Sequence, residues 1–257
     1  MRKWVIKPNN GMGSESTYII SNLEELEQVF SVIKDNLQQF EIEDFIEGEM
    51  YHVDSIVQNG KVLLCSVSKY LNSTLGYIKG EEYLASYMID DSLLKNKIEE
   101  FNSKVINALG IVKSVTHLEV FVTQNEEIVF CEIGARAGGA GVMPCIEEAF
   151  NINLFEAQIK QELDLEPPKI EKTGLLAGWI IFYGKEGIVT SISNPAKFKK
   201  KWIPTYRLYI KEGDNVLDPR YSTDAIASFI ITAPNEEVLI DRINWTIDEF
   251  NVSYRCE

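Results

Sequence analysis

The chain has 257 residues, 45% of them hydrophobic, 25% charged and 11% aromatic, an ordinary globular balance with room for one large or two smaller domains. Its formal net charge of −14 argues against a general nucleic-acid binder, which needs a basic face. No apolar run reaches the roughly 20 residues that span a bilayer, and MRKWVIKPNN has no secretory apolar stretch, so a cytoplasmic protein with no membrane partner is expected.

Cys65, Cys131, Cys145 and Cys256 form no CxxC pair and read as reduced thiols, and with only His52 and His117 a mixed His/Cys zinc site is not expected. Lys197, Lys199, Lys200 and Lys201 read as a solvated loop.

In chain order, WVIK at 4–7 has β character, PNNGMGSES is a polar loop, and TYII resumes a strand. Ser21 and Glu24 match a capping box, and Leu23, Leu26, Phe30, Ile33 and Leu37 repeat at three and four, which predicts an amphipathic helix. FEIEDFI and MYHVDSIV read as strands, and Asn59-Gly60 as a tight turn into the return strand KVLLCSVSKY. Residues 71–90 read as a long loop. Asp91 is expected to cap a helix that runs to about Leu109 and closes at Gly110. A second hairpin occupies THLEVFVTQNEEIVFCEIG, and residues 143–163 read as helix interrupted near Asn151. DLEPPKIEKTG is the best linker. Beyond it, GLLAGWIIFY, IPTYRLYI and AIASFIIT read as strands, and a last helix starts near Pro234. Because hairpins recur, the pattern predicts a mostly antiparallel α+β fold with a boundary near 165–173.

The second hairpin carries the chemistry. With its turn centred on Asn125 and Glu126, Glu119 lies opposite Glu132, Phe121 opposite Phe130 and His117 opposite Gly134, all on one face. Leu118, Val120 and Val122 against Val129, Cys131 and Ile133 form the apolar core face. Facing carboxylates about 5 Å apart repel, so the pair calls for a shared proton or for a hard cation such as Mg²⁺ or Mn²⁺. Arg136-Ala137-Gly138-Gly139 then offers a guanidinium and flexible backbone for an anion. Upstream, Lys7 ends a strand before a loop with Gly11, Gly13, Ser14 and Ser16, and EDFIEGEMYHVDSI offers Glu43, Glu47 and Glu49. His117 reads as a hydrogen-bonded, half-buried histidine; His52 reads equally as a strand residue or as cleft lining; Lys69 and Lys79 read as surface lysines.

Taken together and in this order, the strand lysine with its small-residue loop, the E-x-F-[IV]-x-G segment and the two glutamates ending in E-I-x-x-R-x-G-G resemble the ATP-grasp family, over roughly residues 3–160. Residues 174–257 are similar, more loosely, to the C-terminal subdomain of biotin-carboxylase-like ligases, so the resemblance divides the chain into an ATP-grasp core at 1–165 and a C-terminal α+β subdomain at 174–257.

The resemblance implies a ligase that uses ATP and Mg²⁺ (or Mn²⁺) to join a small-molecule carboxylate to an amine through an acyl phosphate. By position it implies that Lys7 contacts the nucleotide phosphates under a lid holding Gly11, Gly13 and Ser14. Glu43 would hold the adenine amino group beside the backbone of Asp44, Phe45 and Ile46, and Glu49 the ribose. Glu119 and Glu132 would bind the metal, and Arg136 would stabilise the acyl phosphate. Gly134 stands where many relatives carry a metal-binding asparagine. Full ligases of the family carry a further domain before the grasp, which the resemblance implies is absent here. That leaves a non-catalytic or truncated nucleotide-binding module as the alternative reading and a homodimer as a possible assembly.

Overall fold

The computed structural model describes residues 2–11 and 13–255; Met12 of the predicted lid loop and Cys256 lie outside them. A small sheet comes first, in which β1 (Trp4–Pro8) sits between β2 (Tyr18–Ile20) and β3 (Phe40–Asp44), both antiparallel to it. Helix α1 (Leu23–Ile33) closes this sheet through Ile33, which packs on Ile6 and Ile20. The cap of α1 lies one residue beyond the expected one. Asn22 accepts from the Glu25 N–H, and Glu25 reaches back to the Ser21 N–H, because only that register aligns side chain and free amide.

The body is an eight-stranded antiparallel sheet. Its strands are β4 (Gly48–Gln58), β5 (Lys61–Tyr70), β6 (Tyr83–Met88), β7 (Ser114–Thr123), β8 (Ile128–Gly134), β9 (Leu176–Phe182), β11 (Thr205–Leu208) and β13 (Ala227–Ala233), in the order β11-β13-β9-β6-β5-β4-β7-β8. Asn59 and Gly60 have φ of 53° and 72°, the left-handed pair that the tight β4–β5 turn demands. β6 corrects the expected loop at 71–90: it pairs with β5 and β9 and so joins the sheet before the 165–173 segment to the sheet after it. A second small sheet has β10 (Gly187–Ile192) between β12 (Asn215–Val216) and β14 (Val252–Arg255).

Helices cover both faces of the large sheet. Helix α2 (Leu93–Ala108) and α5 (Glu236–Glu249) pack on one face through Ile98, Leu239 and Ile243. Helices α3 (Val142–Phe150) and α4 (Leu154–Glu162) pack on the other through Val142, Ile146, Leu154 and Ala157, with Asn151 left-handed between them at φ 50°. Ser92, not Asp91, caps α2: its hydroxyl accepts from the Lys95 N–H, while Asp91 pairs with the Lys95 side chain. Gly110 closes that helix at φ 65°. Among the described residues no helix is long and apolar enough to cross a membrane.

Candidate active site

The small sheet and the large sheet face one another across a cleft of about 1460 Å³. The residues given nucleotide, metal or acyl-phosphate roles by the resemblance all line it: Lys7, Gly11, Gly13 and Ser14; Glu43, Asp44, Phe45, Ile46 and Glu49; Glu119 and Glu132; and Arg136.

The facing acids are real. Glu119 pairs with Glu132 and His117 with Gly134 across β7 and β8. Nearer the turn the expected register fails: a bulge at Cys131 sets Phe130 against Val120 and Phe121 against Val129, so the expected Phe121–Phe130 pair does not form. Cys131, expected on the core face, lines the cleft. Leu118, Val120 and Val122 are buried in the core as expected.

The two glutamates live in different environments. Glu119, with 14% of its side chain exposed, accepts a 2.8 Å hydrogen bond from the Tyr70 hydroxyl, and His117 Nε2 lies 3.6 Å from the same oxygen. Burial opposes its charge, but His117 and Tyr70 outweigh that and hold the carboxyl below the usual range. Among the described residues Glu132 has no such donors, and burial followed by the charge of Glu119 pushes its carboxyl above the usual range. A cation between the two would remove that penalty, and an all-oxygen donor pair suits Mg²⁺ or Mn²⁺.

Lys7 points into the cleft with 13% of its side chain exposed, 2.9 Å from Glu43 and 3.6 Å from Glu41. Burial works against its charge, yet Glu43 raises its pKa above the usual value, so the ammonium is fixed as a cation. Asp44 turns its carboxylate outward to a bidentate pair with Arg2 at 2.9 and 2.7 Å, leaving only its backbone to the cleft. Glu49 is held at the rim by Lys69 at 2.5 Å and by the Tyr51 hydroxyl at 3.2 Å.

The loop after β1 is docked. Gly13, Ser14 and Ser16 have φ of 63°, 58° and 54°; the Ser222 N–H donates to Gly13 O, and the Tyr77 hydroxyl donates to Ser14 O. Arg136 folds back over the strand end: a Cβ on Gly134 would lie 3.3 Å from Arg136 Cγ and 3.4 Å from Nε. A side chain at 134 would therefore crowd the arginine stem.

Reading the sequence overlooked Tyr70, which holds Glu119, and Asp54, which binds both histidines. His117 is more deeply buried than expected, and His52 lies beneath the cleft rather than along its lining. The available signal was His52-x-Asp54, two polar residues on one face of a strand otherwise bound for the core.

A cleft between two antiparallel sheets, with a glycine-bearing loop, a fixed ammonium and paired carboxylates, has the donors to hold a phosphate chain together with a divalent cation. The chain matches the model of the ATP-grasp domain over residues 2–144 and belongs to that family. It is 28% identical over 245 residues to the L-arginine-specific L-amino acid ligase of Bacillus subtilis, an alignment that takes in 90% of this chain and 58% of that protein. The L-amino acid ligase of Bacillus licheniformis superposes with a TM-score of 0.77 at 20% identity, covering 98% of this chain and 63% of that one. The biotin carboxylase domain of the Hydrogenobacter thermophilus 2-oxoglutarate carboxylase, solved with MgADP, ADP and bicarbonate, gives 0.69 at 17% identity, with coverages of 98% and 57%. The chain thus spans about three fifths of the length of these relatives, and the two solved structures establish the ATP-grasp fold.

Proposed function

We propose that the chain is the nucleotide- and metal-binding portion of an ATP- and Mg²⁺-dependent ligase that joins a small-molecule carboxylate to an amine through an acyl phosphate. The observation that carries this reading is the facing Glu119–Glu132 pair, set in one cleft with Lys7 and Arg136.

Lys7 and the Gly11–Gly13–Ser14 loop would hold the phosphates, with Glu43 and the Asp44–Ile46 backbone at the adenine and Glu49 at the ribose. Glu119 and Glu132 would hold Mg²⁺, which neutralises phosphate charge when bound. The substrate carboxylate attacks the γ-phosphorus and ADP leaves; the amine then attacks the acyl carbon and phosphate leaves. Arg136 stabilises the charge on the departing phosphate, and the docked loop shields the acyl phosphate from water. The ligase named in the relatives from the two Bacillus species supports C–N bond formation, with amino acids as the substrate class.

We further propose residues 1–165 as the grasp core and 174–257 as a C-terminal subdomain that extends the same sheet and lends Trp179 and Tyr221–Thr223 to the cleft. Gly134 favours a second reading, a module that binds nucleotide without turnover, because that position supplies no ligand.

Calorimetry with ATP and Mn²⁺ tests the site. Metal should strengthen binding, and Glu132→Ala should abolish that gain; a metal-driven gain that survives this substitution rules the assignment out. Phosphate release in the presence of amino acids separates the two readings.

A further inference from the structure

Beneath Glu119 runs a line of buried polar side chains that reaches the cleft at His117. Ser86 Oγ lies 2.7 Å from His52 Nε2, His52 Nδ1 lies 2.7 Å from one oxygen of Asp54, and His117 Nδ1 lies 2.8 Å from the other. His117 Nε2 then faces Glu119 Oε1 at 3.6 Å. Ser86 and Asp54 are 0% exposed, His52 2% and His117 6%. The β4–β7 register builds the line by setting His52 opposite Glu119 and Asp54 opposite His117.

Such a network is a costly way to fill a core, since well-packed apolar side chains serve stability as well or better. Its placement has another use: it ends on the glutamate whose position matters most. His52, Asp54 and His117 do offer ligating atoms within 4.8 Å of one another. However, each Nδ1 approaches its own oxygen of Asp54 at hydrogen-bond length, 2.7 and 2.8 Å. Ligands spread around an ion at about 2.1 Å would stand well over 3 Å apart. The histidines are therefore donors to a carboxylate, and Asp54, which only accepts when ionised, fixes a proton on both Nδ1 atoms.

We infer that Asp54 is a positioning residue: it anchors His117 so that Nε2 holds the Glu119 carboxylate toward the cleft, with Tyr70 donating to the same carboxylate oxygen. Gly138 belongs to the same device, since its backbone crosses so closely that a Cβ there would lie 2.8 Å from both Asp54 Oδ1 and His117 Nδ1. The loop that carries Arg136 is thereby packed against the anchor of Glu119. The inference rests on the reading of Glu119 as a metal ligand.

The test is Mn²⁺ binding to the 257-residue chain saturated with a non-hydrolysable ATP analogue, followed by electron paramagnetic resonance, with metal-free ADP binding followed by calorimetry. Asp54→Asn should weaken Mn²⁺ binding about 10–100-fold, the usual cost of losing a partner behind a ligand, and leave metal-free ADP binding within about twofold. His117→Asn keeps a donor for Asp54 while removing Nε2, and should do the same even where Asp54→Asn fails to fold. In a Glu119→Gln background, either substitution should add no more than about twofold, because its effect passes through Glu119.

Equal losses with and without Glu119 would mean a merely structural network and overturn the inference. So would Asp54→Asn and His117→Asn proteins that bind Mn²⁺ like the wild type while Glu119→Gln does not. A Glu119→Gln protein with wild-type Mn²⁺ affinity, or a wild type that takes up none, removes the metal reading and this inference with it.

Discussion

The two adjacent glycines of the Arg136-Ala137-Gly138-Gly139 stretch should respond in opposite ways to the same added methyl. At Gly138 the new Cβ would sit 2.8 Å from Asp54 Oδ1, 2.8 Å from His117 Nδ1 and 2.8 Å from Val142 Cγ1. None of these is the free end of a mobile side chain, for Asp54, His117 and Val142 are 0%, 6% and 3% exposed. Overpacking of this kind costs about 1–3 kcal/mol. Loosening the Asp54–His117 bond adds roughly 1–2 kcal/mol more, because it weakens a buried charged hydrogen bond. Gly138→Ala should therefore lose about 2–5 kcal/mol, a fall in melting temperature of roughly 4–20 °C for a chain of this length. At Gly139 a Cβ meets nothing within 4 Å, and the residue is not left-handed, so Gly139→Ala should be neutral or stabilising by up to about 1 kcal/mol. Urea denaturation of the two variants against wild type reads the difference as a midpoint shift at constant slope. Equal stabilities within about 0.5 kcal/mol would refute the close crossing on which the argument depends.

Two further outcomes follow from the same structure. Burial works against a charge on His117, but Asp54 raises its pKa to about 10 from the usual 6.5, so its contribution is complete below pH 6.5 and lost as pH climbs toward 10. Asp54 is buried too, yet the two histidines hold it below the usual 3.8, so its contribution is complete above that value and lost as pH falls through the acid range. Urea melts across pH should show a decline on the alkaline side that His117→Asn abolishes; an undiminished decline in the variant would place the proton elsewhere. At the start of α1, Asn22→Ala should cost about 1 kcal/mol by removing the acceptor for the Glu25 N–H, and Ser21→Ala clearly less. The reverse order would restore Ser21 as the cap.

The elements were legible where one residue type had one use. Asn59-Gly60 could only be a tight turn, and Lys7, Glu43 and the Arg136 stretch stand at element ends, where side chains meet a cleft. Legibility failed where neighbours compete. Ser21-Asn22 and Asp91-Ser92 each put two good caps side by side, and the choice is made by which oxygen reaches the third amide on, a matter of ångströms. β6 was missed because Tyr83–Met88 is buried on both faces beyond its first residue, which erases the period of two that marks a half-exposed strand. Asp54 and Tyr70 were missed because a polar residue inside a strand shows its use only once the neighbouring strand is in register. Asp54 acquires its use from His117, 63 positions away, and Tyr70 from Glu119, 49 positions away.

The glutamate pair itself was reached through two offsets that cancel. The loop is longer than a two-residue turn: Thr123 and Glu127 close it, the Thr123 N–H donating to Glu127 O and the Glu126 N–H to Thr123 O, with Glu126 left-handed at φ 58°. That loop sets Val122 against Ile128 and Val120 against Phe130, one residue out of the expected register. Continued unchanged, it would put Glu119 opposite Cys131 and turn Glu132 to the side of Leu118, which is fully buried, because a slip of one residue sends every side chain to the other face. The bulge at Cys131 absorbs the extra residue and returns the register at Glu119–Glu132. The bulge therefore does more than bend an edge strand: it is the local feature that brings the second carboxylate to the cleft. It also explains why a cysteine placed by alternation in the core instead lines the cleft beside the two acids.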